Sequence, residues 1–455
     1  LAAVTEDLEG NFKGIGVEFY ILKDTLMITS VLKNGPSADA GILPGDKVIK
    51  VNDSTIAGMG ISSESIISKL RGLEGTSVKL GLLRPSENRM LEINVNRGVI
   101  PIFSVDAAYM IDAQTGYIRI NRFSATTYRE FMKALNTLLS QGMKQMILDL
   151  RQNPGGYLDA ATAIADELIG GEKLLVYTKG RASEKEEYMS GQKGKFEQGK
   201  LAVMVDEGSA SASEILAGAI QDWDRGVIIG RRTYGKGLVQ EQFELGDGSA
   251  LRLTIARYFT PSGRSIQRPY NKGKLAYEEE FEERYKNGSL TTADTFTSLD
   301  TMRYFTEQKH RIVYGGGGIK PDIVTPYEIN PSAGELYELL SAAALSNTIY
   351  EYFSKNSKEM SIYKTFRQFD SEFTVTPQLM ADLKSGYLPE YSHQVAKVWS
   401  DARAMQVLRN RIKALLARML FRSAGYYQEI NKDDNVILRT LNILKSREYS
   451  AIVGG

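Results

Sequence analysis

Short apolar segments alternate with longer amphipathic segments beyond Tyr117, and this alternation restricts the fold more than any other feature. Each apolar segment predicts a strand and each amphipathic segment predicts a helix. The successive pairs are 118–120 with 127–139, 146–150 with 158–168, and 201–205 with 213–221. Because parallel strands need a long crossover connection, usually a helix, the pattern predicts parallel βαβ units.

The region before Arg97 has a different character. It reads as short strands broken by glycine, with one amphipathic helical segment at 63–70, and the predicted strands lie at 16–21, 26–32, 47–52, 77–83 and 90–95. This pattern predicts a small β-rich module with a core of its own. After about Pro331 the pattern becomes almost entirely helical.

These changes of pattern divide the chain, whose 455 residues exceed what one hydrophobic core usually supports. We expect an N-terminal remnant at 1–11, the β-rich module at 12–97, an α/β core at 98–326, and a helical region at 327–455 to which the sequence assigns no role. The chain opens at Leu1 with neither an initiator methionine nor a signal-like segment. We therefore expect a fragment of a longer protein, without its targeting region if it has one.

Composition excludes several classes of function. The formal net charge of +1 offers no general attraction to a polyanion, so we expect no nucleic-acid partner. No run of some eighteen apolar residues predicts a membrane-spanning helix. The chain has no cysteine, which excludes disulfides and thiolate metal sites.

The choice of nucleophile and base is narrow. The two histidines, His310 and His393, lie far from any serine-rich turn. A serine hydroxyl needs a base to become a useful nucleophile, and the remaining candidate is a lysine held neutral by burial. Ser211 lies in the run Gly208-Ser209-Ala210-Ser211-Ala212-Ser213-Glu214, and Lys236 follows the next predicted strand. Loops that leave parallel strands meet at one edge of a sheet, so we expect these two residues to come together there.

Other residues would complete this site. Gln240 lies four positions after Lys236, on the same face if 237–243 is a strand, and would orient the amine. An anionic tetrahedral intermediate needs preorganised donors, commonly backbone N–H groups. The amides of Gly155 and Gly156 are candidates because their turn also leaves a predicted strand, and the amide of Ala212 is a further candidate.

Each of these features also has a plainer interpretation. The three serines of the run could merely cap a helix, Lys236 could lie in a surface turn, and the Asn-Pro-Gly-Gly sequence could be a simple tight turn. The serine and the lysine together favour catalysis. The basic residues of 398–420 we interpret as a solvated helix face rather than a binding site for an acidic partner.

The β-rich module offers a possible peptide-binding site. Gly14, Ile15, Gly16 and Val17 open a strand with consecutive backbone amides. Such a loop can capture a peptide carboxylate while the peptide adds to the sheet as an extra strand. A single Gly-x-Gly is a weak signal, and the stretch 35–52, with Gly-Ile-Leu-Pro-Gly-Asp at its centre, is more specific.

These motifs resemble a known family. The run 37–46 resembles a PDZ domain, and four further stretches resemble the carboxyl-terminal processing (tail-specific) serine proteases: 149–156, 208–214, 233–240 and 258–267. The resemblance covers about residues 10 to 326. It implies an α/β multidomain protein with a PDZ domain, a crotonase-like serine protease core and a helical C-terminal region.

The resemblance also implies roles for the residues. Ser211 would be the nucleophile, Lys236 the general base and Gln240 the residue that orients the lysine, with no metal or organic cofactor. The Gly14–Val17 loop would bind the substrate carboxylate, and Arg71 would link occupancy of the PDZ domain to activity. The implied partners are proteins or peptides with accessible C-termini, with homo-oligomers and a location in the cell envelope or periplasm also expected.

Two other classes of function stay open at this point. One is a peptide-binding adaptor, in which the PDZ domain is attached to a catalytically silent scaffold. The other is a Ser-Lys hydrolase of small amides or esters, which would not need the PDZ domain. A reactive Ser211 would distinguish a protease from the adaptor. A preference for peptide tails would distinguish a protease from the small-molecule hydrolase.

Overall fold

The computed structural model describes residues 2–191, 193–270, 302–327 and 332–454, together with residues 273, 275, 279 and 284. The chain forms two compact units. One unit comprises residues 1–10, 103–328 and 434–455, and the other comprises residues 11–102 and 329–433. The first unit begins with helix α1 (Ala2–Glu9).

The β-rich module lies in the second unit. Its strands and helices are β1 (Asn11–Gly14), β2 (Val17–Leu22), β3 (Thr25–Val31), α2 (Pro36–Asp39), β4 (Lys47–Val51), β5 (Ser54–Thr55), α3 (Ser63–Leu70), β6 (Ser77–Arg84), β7 (Arg89–Asn96) and β8 (Gly98–Pro101). The main sheet has the order β2-β3-β4-β6-β7, and β1 pairs with β8 in a separate ribbon. Alternate residues of β3 and β6, among them Leu26, Ile28, Leu80 and Leu82, form a buried core with Ile66 of α3. This is the independent core that the sequence predicts.

The α/β core lies in the first unit. Its elements are β9 (Val105–Met110), β10 (Thr115–Ile120), α4 (Thr127–Ser140), β11 (Gln145–Asp149), α5 (Leu158–Leu168), β12 (Leu174–Gly180), β13 (Glu186–Met189), β14 (Lys200–Val205), α6 (Ala212–Asp222), β15 (Val227–Gly230), β16 (Leu238–Glu244), β17 (Ala250–Phe259), β18 (Arg303–Phe305), β19 (Ile312–Tyr314) and β20 (Ile323–Val324). The predicted parallel units are confirmed, since β10, β11, β14, β15 and β20 pair in parallel. β11 is wholly buried, as expected of a parallel strand covered on both faces.

Two sheets of this core matter for the site. The central sheet has the order β20-β15-β14-β11-β10-β9, in which only the edge strand β9 is antiparallel to its neighbour. A second sheet has the order β13-β12-β17-β16 and is antiparallel throughout, with β16 at its edge. The loops after β11, β14 and β15 leave the carboxyl ends of adjacent strands, which brings the candidate residues together.

The helical region follows, and most of it belongs to the second unit. Its helices are α7 (Ala333–Ser341), α8 (Ala343–Lys355), α9 (Ser357–Met360), α10 (Phe366–Glu372), α11 (Pro377–Gly386), the short 3₁₀ helix Pro389–Tyr391, α12 (Ser392–Ser400) and α13 (Ala402–Ile430). Helix α13 is interrupted at Arg422, whose φ of 59° and ψ of −155° are not helical. In the described residues, no helix combines the length and the apolar character needed to span a membrane.

The last two helices belong to the first unit instead. They are α14 (Asn435–Lys445) and α15 (Arg447–Val453). The Tyr449 hydroxyl accepts a hydrogen bond from the Leu201 amide at 2.9 Å, and Asp434 pairs with Arg151 at 2.8 Å. The predicted helical segment 327–455 is therefore divided between the two units, which the helical periodicity of the sequence could not indicate.

Candidate active site

The serine-rich turn between β14 and α6 distinguishes its three serines. Ser209 and Ser213 are fully buried, and their hydroxyls donate to the backbone carbonyls of Leu150 at 2.8 Å and Asn153 at 2.9 Å. Ser211 is only half-buried. Ser209 and Ser213 therefore fix the turn, and Ser211 is the one whose hydroxyl a substrate can approach.

The backbone of Ser211 is strained. Its φ of 55° and ψ of −115° lie in a backbone region that residues other than glycine rarely occupy. Such a conformation persists only where the surroundings impose it, and it is frequent where a nucleophile sits on a sharp strand-to-helix turn. The sequence predicts the position of the turn but not this strain.

The Lys236 turn is held by polar contacts from neighbouring segments. The Gly237 amide donates to the side-chain carbonyl of Gln267 at 2.9 Å, and the buried Tyr258 hydroxyl donates to the Lys236 carbonyl. Lys236 itself is half-buried. Burial lowers the pKa of its amine, the charge of Arg252 lowers it further, and the charge of Glu214 opposes them. The direction of the shift is the one that a lysine acting as a general base requires.

A buried carboxylate joins the serine turn to the lysine turn. Glu214 has no exposed surface, and its Oε2 accepts from the amides of Ser211 at 2.8 Å and Lys236 at 2.9 Å. Its Oε1 accepts from the Gly235 amide at 2.7 Å and the Thr233 hydroxyl at 2.5 Å. Burial raises the pKa of this carboxyl, although each of these hydrogen bonds lowers it. One side chain thereby fixes the backbone on both sides of the candidate dyad.

Sequence reasoning missed this role of Glu214. The signal was present, because Ser211 followed three residues later by a glutamate at a helix start is the pattern of a capping box. That pattern predicts a carboxylate that accepts from the Ser211 amide. It gives no indication that the same carboxylate also binds the turn around Lys236.

The predicted oxyanion donors lie against the serine turn. A Cβ atom on Gly155, whose φ is +98°, would stand 2.8 Å from Cβ of Ser211 and 2.9 Å from the Ala212 nitrogen. The Gly155 amide donates to Oδ1 of Asn153 at 2.9 Å, so it would have to exchange this partner to bind an oxyanion. Gly156 is packed against Phe123, where a Cβ atom would overlap the Phe123 carbonyl.

Lys236 and Gln240 line the same cavity of about 950 Å³. Ala210, the neighbour of Ser211, and Pro154 of the glycine turn also lie on its wall. Gln240 is exposed on the edge strand β16, and the pairing of β16 with β17 shifts between Val239 and Gln240. The expectation that both side chains reach one site is thus consistent with the cavity, and the orienting role of Gln240 stays a prediction.

A buried ion-pair network supports the loop that precedes the glycine turn. Asp149 is fully buried and accepts from Arg119 at 2.9 Å, from the Arg151 side chain at 2.8 Å and from the Tyr117 hydroxyl at 2.7 Å. Burial raises the pKa of its carboxyl, but the two arginines outweigh this effect and hold the pKa well below its usual range. Arg151 extends the network to Asp434 at the start of α14.

The second unit contains the predicted peptide groove. Gly14, Ile15, Gly16 and Val17 line a cavity of about 190 Å³ with apolar side chains of α3 and with Arg71. The Arg71 guanidinium lies 4.5 Å from the ring centre of Phe12. The structure therefore brings all five predicted residues of this site to one groove between β2 and α3.

Comparison with known proteins identifies the families that match the two units. A PDZ domain model matches residues 14–95, a model of peptidase family S41 matches residues 114–273, and a family of unknown function matches residues 336–422. A carboxy-terminal-processing protease of Bartonella bacilliformis is 34% identical over 296 residues, which cover 64% of this chain and 67% of that protein. The chain belongs to the carboxyl-terminal processing protease family, and the predicted resemblance is confirmed.

Two further relatives show the extent of the match. A probable CtpA-like serine protease of Staphylococcus haemolyticus is 35% identical over 66% of this chain and 59% of that protein. A photosystem II D1 C-terminal processing protease of known structure is 28% identical over 57% of this chain and 70% of that chain, with a TM-score of 0.34. The chain spans between about half and two thirds of the length of the curated relatives it matches.

Proposed function

We propose that this chain is a serine endopeptidase with a Ser-Lys dyad that recognises the C-terminal tail of its substrates through the PDZ domain. The observation that carries the proposal is the shared carboxylate of Glu214, which accepts from the amides of both Ser211 and Lys236. A helix cap needs only the first of these bonds. Holding the two turns at one acceptor is what a nucleophile and its base require.

The chemistry begins with Lys236 as a neutral amine. The amine takes the proton of the Ser211 hydroxyl while the serine oxygen attacks the carbonyl carbon of the scissile peptide bond. Burial favours this neutral form because it lowers the pKa of the amine. The amides of Gly156 and Ala212, with that of Gly155 once it leaves Asn153, would stabilise the oxyanion of the tetrahedral intermediate.

The intermediate then collapses. The C–N bond breaks, the leaving amine takes the proton from the Lys236 ammonium, and the acyl group stays on Ser211 as an ester. The neutral Lys236 next accepts a proton from a water molecule, whose oxygen attacks the ester, and returns that proton to the Ser211 oxygen as the second product leaves. Gln240 would hold the lysine amine in position through both steps.

Tail recognition is the second part of the proposal. The Gly14–Val17 loop would bind the terminal carboxylate while the peptide pairs with the edge of β2. Apolar lining by Ile15, Val17 and Leu70 suits an apolar terminal side chain. Arg71 at the same groove would link its occupancy to activity, and the envelope or periplasmic location belongs to the same proposal.

The test uses mass spectrometry of peptides that differ only at their C-termini. The intact chain should cleave a peptide with an apolar free C-terminus and should cleave the same peptide with a C-terminal amide much more slowly. The Ser211→Ala variant should cleave neither peptide. Equal cleavage of the two peptides would refute tail recognition, and cleavage by the variant would refute the role of Ser211.

The alternatives make different predictions in the same experiment. A silent adaptor would bind the free-carboxylate peptide without cleaving it, and Ser211 would not react with an active-site serine probe. A small-molecule hydrolase would turn over esters or amides with no preference for peptide tails. The hydrogen bonds of Glu214 to the amides of both Ser211 and Lys236 favour a hydrolase over an adaptor, and the groove at Gly14–Val17 favours a peptide substrate.

A further inference from the structure

Strand β2 of the PDZ domain presents two different faces. Val17 and Phe19 line the peptide groove and, with Ile21, pack against the core of the module. The even-numbered residues of β2 point the other way, as the alternation of a strand requires. These are Glu18, Tyr20 and Leu22, and all three meet the helical region of the same unit.

The helical region is packed firmly on this second face. Leu22 of β2 and Met27 of β3 are buried in the same apolar core as the helices α7 to α13. The Tyr20 hydroxyl donates to Oδ1 of Asn347 at 3.1 Å, and the Tyr20 ring lies 4.5 Å from the ring of Tyr350. Helical residues are therefore held in place against the face of β2 that is opposite the peptide groove.

Two arginines of α13 stand at the rim of this contact. One nitrogen of Arg418 and one of Arg422 each lie 3.4 Å from a different carboxylate oxygen of Glu18. The side chains remain partly accessible, with relative exposures of 50% for Arg418, 37% for Arg422 and 38% for Glu18. The two arginines thus share the carboxylate of Glu18, and both distances exceed the 2.7–2.9 Å or so of a strong charge-assisted hydrogen bond.

A peptide that adds to the edge of β2 brings its side chains into this environment. In a paired strand, side chains alternate between the faces in step with those of the neighbouring strand. When the last side chain enters the groove beside Val17, the penultimate and the fourth-from-last side chains project to the side of Glu18. The third-from-last side chain projects toward α3.

We propose that Arg418 and Arg422 form a cationic wall beside the peptide-binding edge of β2, on the face opposite the groove, which selects substrate tails with Asp or Glu at the penultimate or fourth-from-last position. The inference rests on the proposed function and assigns a role to the helical region, which would read the side of the tail that the PDZ domain leaves open. It also revises the interpretation of the basic residues of α13. Lys413 binds Asp370 at 2.9 Å and Arg411 binds Tyr426, whereas Arg418 lies beside Glu18 of β2.

The test measures binding of fluorescent peptides to the Ser211→Ala chain, so that no peptide is cleaved. The peptides share an apolar C-terminus and carry Glu, Ala or Lys at the penultimate, third-from-last or fourth-from-last position. Glu should bind about three- to tenfold more tightly than Lys at one or both of the outward positions, as expected for partly exposed charges, and the preference should weaken in 0.5 M salt. At the third-from-last position no such preference is expected.

Two substitutions sharpen this test. Arg418→Ala is suited to a helical site and should remove most of the preference, while Arg422 is unsuitable because its positive φ adds a backbone effect. Glu18→Gln removes the competing carboxylate and should strengthen binding of acidic tails. Arg409→Ala is the matched control, because it removes the same charge from α13 at a residue with no described contact to Glu18.

The outcomes separate this inference from the proposed function. Equal affinity for Glu and Lys at both outward positions, or an Arg418→Ala effect that is the same for all peptides, overturns the cationic wall. Equal affinity for peptides with a free carboxylate and with a C-terminal amide overturns tail recognition itself. A preference for Glu over Lys that is the same in Arg418→Ala, in Arg409→Ala and in the chain without either substitution would also contradict the inference.

Discussion

The turn around Ser211 binds a carboxylate through backbone amides, and the loop Gly14–Val17 is proposed to do the same, but the carboxylate has a different origin in each. At the turn, the carboxylate is the internal Glu214, which is fully buried and permanently bonded to the amides of Ser211, Gly235 and Lys236. At the loop, the proposed carboxylate is the end of the substrate. The comparison suggests that backbone amides build a rigid catalytic centre when the acceptor is internal, and a reversible recognition site when it is external.

The largest expected effect comes from removing the internal acceptor. Glu214→Ala leaves buried N–H groups without a partner and frees both turns, so we expect kcat to fall by about 100-fold or more. We also expect the free energy of unfolding to fall by roughly 3 kcal/mol. Peptide kinetics and urea unfolding measure the two effects, and Glu241→Ala, on the exposed part of β16, is the control. A normal kcat in Glu214→Ala would contradict the claim that this carboxylate holds the catalytic centre.

The next effect comes from disturbing the packing of the serine turn. Gly155→Ala would place a Cβ atom 2.7 Å from the Ala210 carbonyl oxygen and 2.8 Å from Cβ of Ser211, at a φ of +98°. We expect kcat to fall by about 30-fold, because a small displacement of reacting groups is costly. Gly142→Ala is the matched control, since its φ of +92° is similar but a Cβ atom there meets nothing within 4 Å. Equal losses in both variants would attribute the effect to backbone strain alone.

At the loop, the corresponding change should affect recognition and not chemistry. Gly16→Ala, at a φ of +76° and with a Cβ atom 3.2 Å from Ile100, should weaken binding of tailed peptides by about tenfold, as expected for disturbed hydrogen bonds to a charged group. Labelling of Ser211 by an active-site probe should be unchanged. Gly75→Ala, also at positive φ but in open space, is the control in the same module. Loss of labelling in Gly16→Ala alone would contradict this division of roles.

The smallest effect is a displacement of the pH profile. Activity should rise with pH as Lys236 loses its proton, and the negative charge of Glu214 raises the pKa of that amine. Glu214→Gln removes the charge, and although its NH2 group cannot accept from these donors and kcat should fall, the acidic limb of the kcat profile should move to lower pH. A purely structural role for Glu214 would lower kcat without moving the limb.

Much of this architecture follows from local sequence. The helix predicted at 158–168 is observed at Leu158–Leu168, and the strand predicted at 201–205 is observed at Lys200–Val205. The period and the length of the hydrophobic pattern suffice to predict such elements, because burial of one face or both faces determines the side-chain pattern. The loops that leave these strands also reach the expected edge of the sheet.

The rest depends on contacts between residues distant in sequence. Nothing near Glu214 indicates that its carboxylate accepts from Gly235 and Lys236, and the strained φ of Ser211 is imposed by that tertiary arrangement. The division of the C-terminal helices between two units is equally non-local, since it follows from pairs such as Asp434 with Arg151. Helical periodicity indicates that a face is buried, but not which surface it is buried against.

The most direct measurement is the rate at which a fluorophosphonate probe acylates Ser211 as a function of pH, followed by intact-mass spectrometry. In the unmodified chain the rate should rise with pH around a midpoint below the ordinary lysine value of 10.5, since burial lowers the pKa of Lys236. The Lys236→Ala chain should remain unlabelled at every pH. Labelling of Ser211 in that variant at the rate of the unmodified chain would contradict the central claim that this lysine activates this serine.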